Sequence, residues 1–346
     1  MRIVVAGGGL IGTCFALEAH ARGADVVLVE ATGLHAEAST AGAGILGAEA
    51  EAVTGAHGSA EAVAAREAMF AWLPHLEAAT GLSARAARRG TLVRCSSEEE
   101  AQRYARWCAR EAPSGRLLSP AEVRELQPSL APCPFGALLF EEDGALEPAR
   151  LGSAVSAALR STRVEVRCGA RVSAVLMDGS RAVGLTLEDG SHVGGDAVVV
   201  AAGAWSAELV RPLGLEDELH PLRGQLLELR PSRGELRPVL FEGKRYIVPR
   251  GDGRYVVGST MERVGFDKRT TEEAREELRA FAARVVPAFE GAEVGAHWCG
   301  LRPFRAAGPR VGATPVPGLF TSFGHGRNGI LFCRKSALNL AASLAL

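Results

Sequence analysis

The chain has 346 residues, 47% hydrophobic and 23% charged, with a formal net charge of −1. This is ample material for a core, in about two domains at roughly 150 residues each. Near-neutrality excludes a broad electrostatic footprint for nucleic acid or anionic membrane, and no run of 18 apolar residues is present to span a bilayer. Seven cysteines, an odd number without a Cys-x-x-Cys pair, exclude a disulfide framework and a zinc knuckle; a cytoplasmic location is expected.

Arg2–Ala6 (RIVVA) has the unbroken apolar run of a strand covered on both faces. A helix is expected at Leu10–Ala21, stopped by Gly23, and a second buried strand at 25–29 (DVVLV). Strand, glycine turn, helix, strand is a βαβ unit and implies a parallel sheet. An alanine-rich helix is expected over 59–79, interrupted at Pro74. Ser119-Pro120-Ala121-Glu122 has the order of a capping box with proline at the first helical position. Strands at 171–177, 182–188 and 192–201 are joined by Asp178-Gly179 and Asp189-Gly190, and strands at 246–249 and 255–259 flank Asp252-Gly253. Asp-Gly between apolar runs is a strong hairpin signal. Thr270-Thr271-Glu272-Glu273 reads as another capping box, opening a helix with Ala274, Leu278, Phe281 and Val285 on one face. A last helix is expected from 328 to 346, entered from a glycine-rich segment, and no disordered linker separates any two parts.

The turn after the first strand carries Gly7-x-Gly9-x-x-Gly12. The first glycine permits a tight turn, the second lets backbone approach a pyrophosphate, and the third allows the helix to pack closely on the strand. The helix N-terminus then presents N–H groups and partial positive charge to phosphate. Such a pattern alone can be a bare turn in a chain rich in glycine and alanine. Glu30, 18 residues after Gly12, stands where a carboxylate binds a ribose hydroxyl, and an acid there disfavours a 2′-phosphate. The turn does not separate NAD from FAD. The chain, however, abandons the βα repeat after Glu30, builds a meander, and returns through the apolar 197–202 (AVVVAA), an organisation that favours a flavin.

With these residues in order, the sequence resembles the D-amino-acid-oxidase-like family of FAD amine oxidases, and within it the glycine oxidases associated with thiamine biosynthesis. The matching stretches are VVAGGGLIG, STAGAGILGAEAE, VVVAAGAWS, YIVPRGDGRYVVGSTME, WCGLRP and GHGRNGIL, spread over nearly the whole chain. The resemblance implies an α/β fold: a Rossmann-like FAD-binding domain (1–85, 150–219 and 298–346) interleaved with an α+β substrate domain on an antiparallel sheet (86–149 and 220–297). It implies noncovalent FAD held by Gly7, Gly9, Leu10, Ile11 and Gly12 in the turn, with Glu30 and Ala31 at the ribose. Ser39, Ala43, Gly44 and Ile45 fall beside the pyrophosphate and flavin, and Val172 at the adenine. His325, Gly326, Arg327, Asn328, Gly329, Ile330 and Leu331 fall along the pyrimidine ring. The substrate residues it implies are Tyr246, Arg302 and Arg327. Ile45 and Gly326 depart from the Met and the aromatic residue common at those positions.

The implied activity is oxidative deamination of glycine, sarcosine or small D-amino acids to the oxo acid, ammonia and hydrogen peroxide, with molecular oxygen as acceptor. A guanidinium fork such as Arg302 matches a carboxylate with two parallel hydrogen bonds, and the Tyr246 hydroxyl adds a third. The flavin itself carries the redox chemistry, so no catalytic side chain is expected; the segments around Tyr246 and Arg302 hold no Asp, Glu or His. A flavin dehydrogenase of D-amino or secondary amino acids is the alternative, and a nucleotide-binding regulator that has lost catalysis is a reading of a different class. The histidines show no ligand spacing, so no metal is expected; neither is a transmembrane segment or a nucleic-acid partner. A homo-oligomer is compatible with the sequence.

Overall fold

In the structure, a computed structural model describing residues 1–53, 59–112, 114–215 and 218–346, the first strand β1 (Arg2–Ala6) lies at the centre of a six-stranded sheet. Helix α1 (Leu10–Ala21) leads from it to β2 (Asp25–Glu30), which pairs parallel to β1 with Ile3 opposite Val26. On the far side of β2 lies Glu165–Cys168, and on the other flank of β1 come Ala197–Val200 and Leu319–Phe323, all parallel; only the edge strand Arg310–Ala313 runs antiparallel. Alternate residues of β1 enter two different cores. Ile3 and Val5 face the helices α1, Pro148–Arg160 and Gly329–Ser343, whereas Val4 and Ala6 face the hairpin sheet formed by Val172–Asp178, Arg181–Leu187 and His192–Gly194. The strand is apolar without alternation because both of its faces are covered.

A second, eight-stranded sheet holds most of the remaining chain. Its order is Glu293–Phe304, His220–Arg230, Tyr255–Gly258, Arg245–Pro249, Val239–Glu242, Thr91–Arg94, Ala137–Phe140 and Arg116–Leu118. Pairing is antiparallel except where Val239–Glu242 runs parallel to Thr91–Arg94, so the sheet is mixed at one joint rather than wholly antiparallel. Helix Glu272–Val285 closes one face through Leu278, Phe281 and Val285. The strand Glu293–Phe304 stays paired to His220–Arg230 up to His220 opposite Phe304, so this sheet continues past residue 298, where a division was expected. Among the described residues no helix is long and apolar enough to cross a membrane.

Three local expectations are corrected. The helix expected to break at Pro74 runs unbroken as Ser59–Thr80. The proline removes one backbone donor, but Met69, Leu73 and Leu76 on either side of it are buried in one cluster, and that packing outweighs the lost bond. The expected strand over 192–201 is two strands in different sheets, His192–Gly194 and Ala197–Val200. Its break falls at Gly195, where a Cβ would meet Val4 and the Arg2 carbonyl at 3.0 and 3.2 Å. The cap of Glu272–Val285 is Thr271, whose hydroxyl accepts from the Ala274 N–H at 3.3 Å. Its third helical residue is therefore Ala274, so no carboxylate returns to complete a box, and the Thr271 N–H instead donates to Gln225 Oε1 at 2.8 Å. The box at Ser119 and Glu122 is complete.

Candidate active site

A cleft runs from the C-terminal end of β1 to the eight-stranded sheet, lined by both. One arm is built by the glycine turn. Gly7 has φ +112°, and a Cβ there would sit 2.4 Å from the Ala201 carbonyl oxygen. A Cβ on Gly12 would lie 2.0 Å from the Gly7 carbonyl oxygen, so only glycine lets α1 dock this closely on β1. Gly9 caps α1 without a side-chain hydrogen bond and faces the cleft, leaving the helix start to the cavity. The Leu10 N–H donates to Ser39 Oγ at 2.9 Å. At the end of β2 the Glu30 carboxylate accepts from the Gly8 N–H at 2.7 Å and the Thr32 N–H at 2.9 Å, tying the turn to the second strand. Buried His35 holds the turn from behind: its N–H donates to the Gly8 carbonyl at 2.9 Å and its ring Nε2 lies 2.9 Å from Thr13 Oγ1. Burial pushes the His35 imidazole down to about 4, so it is neutral.

On the opposite wall, Gly44 has φ +77° and a Cβ there would fall 2.1 Å from the Leu146 carbonyl, fixing Ala43, Gly44 and Ile45 along the cleft. The segment His325–Gly329 enters helix Gly329–Ser343, and Asn328 caps it without a side-chain bond. His325 is fully enclosed and neutral, its imidazole pushed by burial to about 4, with Nε2 2.9 Å from Ser336 Oγ. His325 Nδ1 and Ser322 Oγ are buried with no partner in the protein, and both residues line the cleft. Buried polar atoms of this kind are normally satisfied. Two orphaned atoms, an uncapped helix start and a Cβ-free turn in one cleft fit a bound dinucleotide with a polar ring system.

The other arm reaches the eight-stranded sheet. Tyr246, on Arg245–Pro249, is buried, and its ring lies over Gly258 of the adjacent strand, where a Cβ would be 2.5 Å from the ring. Arg302, on Glu293–Phe304, lies flat over Gly224, where a Cβ would be 2.1 Å from the guanidinium. Its two terminal nitrogens donate to Ser259 Oγ at 2.6 Å and to the Thr260 carbonyl at 3.1 Å. Arg327 enters the same cleft paired with Glu51, whose Oε2 accepts from both Nε and a terminal nitrogen. Glu51 is 4% exposed on the short helix Ala48–Val53. Burial pushes its carboxyl up, while Arg327 and, less strongly, Arg302 pull it down.

The cleft thus brings together Gly7, Gly9, Leu10, Ile11, Glu30, Ala31, Ser39, Ala43, Gly44, Ile45, Val172, Tyr246, Arg302 and the run from His325 to Ile330. Gly12 and Leu331 do not line it: Gly12 serves the helix–strand contact, and Leu331 is buried in the helical core. Sequence reasoning missed Glu51, Gly224, Gly258 and Ser259. Glu51 stands in the quoted stretch STAGAGILGAEAE, but no spacing connects it to Arg327, 276 positions away. Gly258 is legible only as the residue opposite Tyr246, and Gly224, which pairs with Gly300, only as the diagonal neighbour over which Arg302 lies, once strand register is known.

A glycine turn with a carboxylate at the end of the second strand, opening into a cleft roofed by a separate sheet, defines a dinucleotide-dependent oxidoreductase. The comparisons specify the cofactor. The model of the FAD-dependent oxidoreductase family (DAO) matches residues 2–342, and the chain belongs to this family. It is 33% identical to the glycine oxidase of Pseudomonas putida over 347 residues, covering 97% of this chain and 92% of that protein. It is 34% identical to the glycine oxidase of Pseudomonas aeruginosa, covering 98% and 93%. The crystal structure of glycine oxidase from Geobacillus kaustophilus superposes with a TM-score of 0.93 at 31% identity, covering 99% of this chain and 95% of that one.

Proposed function

We propose that the chain oxidatively deaminates glycine, sarcosine or small D-amino acids to the oxo acid, ammonia or the amine, and hydrogen peroxide, with molecular oxygen as acceptor. The observation that carries this reading is that Arg302 and Tyr246 both line the end of a flavin-fitting cleft at the eight-stranded sheet. Two of the five guanidinium N–H groups anchor Arg302 to the protein, and the fixed fork suits a carboxylate. Tyr246 is held in the cleft wall by Gly258 and by the tilted ring of Phe241 at 5.7 Å. Both residues lie on strands of one sheet, with His220–Arg230 and Tyr255–Gly258 between them, so their separation is set by backbone rather than by loop motion.

In this reading the turn residues Gly7–Ile11, with Ser39, take the pyrophosphate, and Glu30 with Ala31 the ribose. Val172 meets the adenine, and Ala43–Ile45 and His325–Ile330 border the flavin. When bound, FAD supplies the two-electron acceptor for the substrate α-carbon. Arg302 and Tyr246 orient that carbon by its carboxylate, which supplies much of the rate in such a reaction. The start of helix Gly329–Ser343 faces the ring system and favours negative charge there. His325 is neutral near pH 7, its imidazole pushed down to about 4 by burial. Arg327 reaches the substrate end with its charge compensated by Glu51.

The test is an aerobic assay of the yellow holoenzyme across glycine, sarcosine, D-alanine, D-proline and bulkier D-amino acids. Peroxide formed with a small substrate is the expected result. Electrons delivered only to an artificial acceptor, without peroxide, would move the reading to a dehydrogenase. A protein that takes up no FAD would end both.

A further inference from the structure

The substrate end of the cleft holds two arginines and one buried carboxylate, and the carboxylate is anchored independently of both. Glu49, two residues before Glu51 on the same short helix, pairs with Arg66 at 3.0 Å, and Arg66 pairs with Asp143 at 2.8 Å. Asp143 accepts from the Glu49 and Ala50 N–H groups at 3.4 and 3.2 Å, and Ser114 donates to Glu49. Arg66, Glu49 and Asp143 are all buried. Glu51 is therefore presented to the cleft by a helix clamped from behind. It does not depend on Arg327 for its place. Beside Arg327 there is also room: a Cβ built on Gly326, which lines the cleft, meets nothing within 4 Å.

We propose that Glu51 is a specificity-determining residue that neutralises Arg327 and so masks a second anion subsite, restricting the enzyme to amines that carry a single carboxylate. This rests on the substrate reading above. Arg302 serves one carboxylate. A second anionic group on the amine nitrogen or the side chain, reaching toward Gly326, would meet Arg327 with its charge already taken and Glu51 repelling it. Without the Glu51 charge, the positive charge of Arg327 at the cleft is no longer offset by Glu51, and a substrate bridging the two arginines is favoured.

The experiment compares sarcosine with N-carboxymethylglycine, which adds one carboxylate to the same secondary amine, on wild-type holoenzyme, Glu51→Gln and the double variant Glu51→Gln/Arg327→Gln. Two quantities are read: the ratio of kcat/KM for the dicarboxylate over sarcosine, and the ratio of dissociation constants of malonate and acetate from perturbation of the flavin spectrum. Glu51→Gln is expected to shift both toward the dianion by about tenfold or more, the size of one charge-assisted contact. The double variant is expected to return both toward wild type. Unchanged ratios in Glu51→Gln overturn the proposal, and so does a shift that survives removal of Arg327. If Glu51→Gln does not yield folded holoenzyme, Glu51→Asp, which withdraws the charge by one methylene, must shift the ratios in the same direction; no shift overturns the proposal. Failure of wild-type enzyme to oxidise sarcosine or any other amine refutes the substrate reading instead, and the malonate arm still reports on Arg327.

Discussion

Replacing Gly224 by alanine is expected to disable the substrate site while leaving fold and cofactor in place. Gly224 lies within the strand His220–Arg230 and has no positive φ, so alanine suits its backbone. The added methyl, however, would lie 2.1, 2.2 and 2.3 Å from the three guanidinium atoms of Arg302, where ordinary contact begins at 3.4 Å. The guanidinium must therefore retreat by about 1.3 Å. Its bonds at 2.6 Å to Ser259 and 3.1 Å to the Thr260 carbonyl cannot both survive that shift. A displacement of about 1 Å in a positioning group costs on the order of 10²-fold in rate, equivalent to about 2.7 kcal/mol of transition-state stabilisation. The assay is kcat/KM for glycine or sarcosine, alongside the dissociation constant of acetate and the flavin absorbance per protein. Both kinetic and binding terms should weaken about 100-fold with FAD content unchanged. Unaltered kcat/KM and acetate binding would show that Arg302 has no function in its observed seat and would refute the reasoning.

Two stability predictions follow from buried charge. Arg66→Met removes the cation that pairs with both Glu49 and Asp143 and leaves their carboxylates buried; breaking one side of a buried pair costs about 3–5 kcal/mol. Thermal unfolding at neutral pH should fall by several degrees, with part of the loss recovered at acidic pH, where Asp143, already pushed up to about 6 by burial, takes a proton. An unchanged melting temperature would contradict the assignment of this cluster as the clamp behind Ala48–Val53. His35 and His325 both have imidazoles pushed down by burial to about 4 in the folded chain, against an ordinary value of 6.5. The unfolded chain therefore binds more protons below pH 6.5, and stability from both is present above that value and lost as pH falls through about 4, on the order of 3 kcal/mol each. Asp143 and Glu51, both pushed up by burial, work in the opposite sense over part of the range. Denaturant unfolding of the FAD-saturated enzyme at pH 7, 5.5 and 4.5 should show the decline, and a flat profile would refute it.

Much of the nucleotide end was legible in the sequence because its signals are local. Gly7, Gly9 and Gly12 are specified by steric contacts within a few residues or with the next strand, and Glu30 is placed by the length of one βαβ unit. Apolar runs without alternation announced strands covered on both faces, and the capping residues at Ser119 marked a helix start that the structure reproduces. The strands Thr91–Arg94, Val239–Glu242 and Glu293–Phe304 carried no comparable signal. Glu293–Phe304 in particular is only partly buried along most of its length, so no period of two is written into it.

The substrate end is different in kind. Tyr246 and Arg302 were legible through family resemblance, but their seats were not. Gly258 matters only because antiparallel register sets it opposite an aromatic ring, and Gly224 only because the Arg302 guanidinium folds diagonally across it. Pro74 likewise reads as a break until the core on both sides of it is known. Above all, Glu51 and Arg327 are 276 residues apart and meet across the cleft. Sequence by itself determined the glycine turn and the carboxylate that braces it, since that geometry is made from backbone in nearly consecutive residues. Tertiary structure alone decided how charge is balanced where the substrate sits, because a Coulombic pair depends on distance in space and on burial, and neither is a property of spacing along the chain.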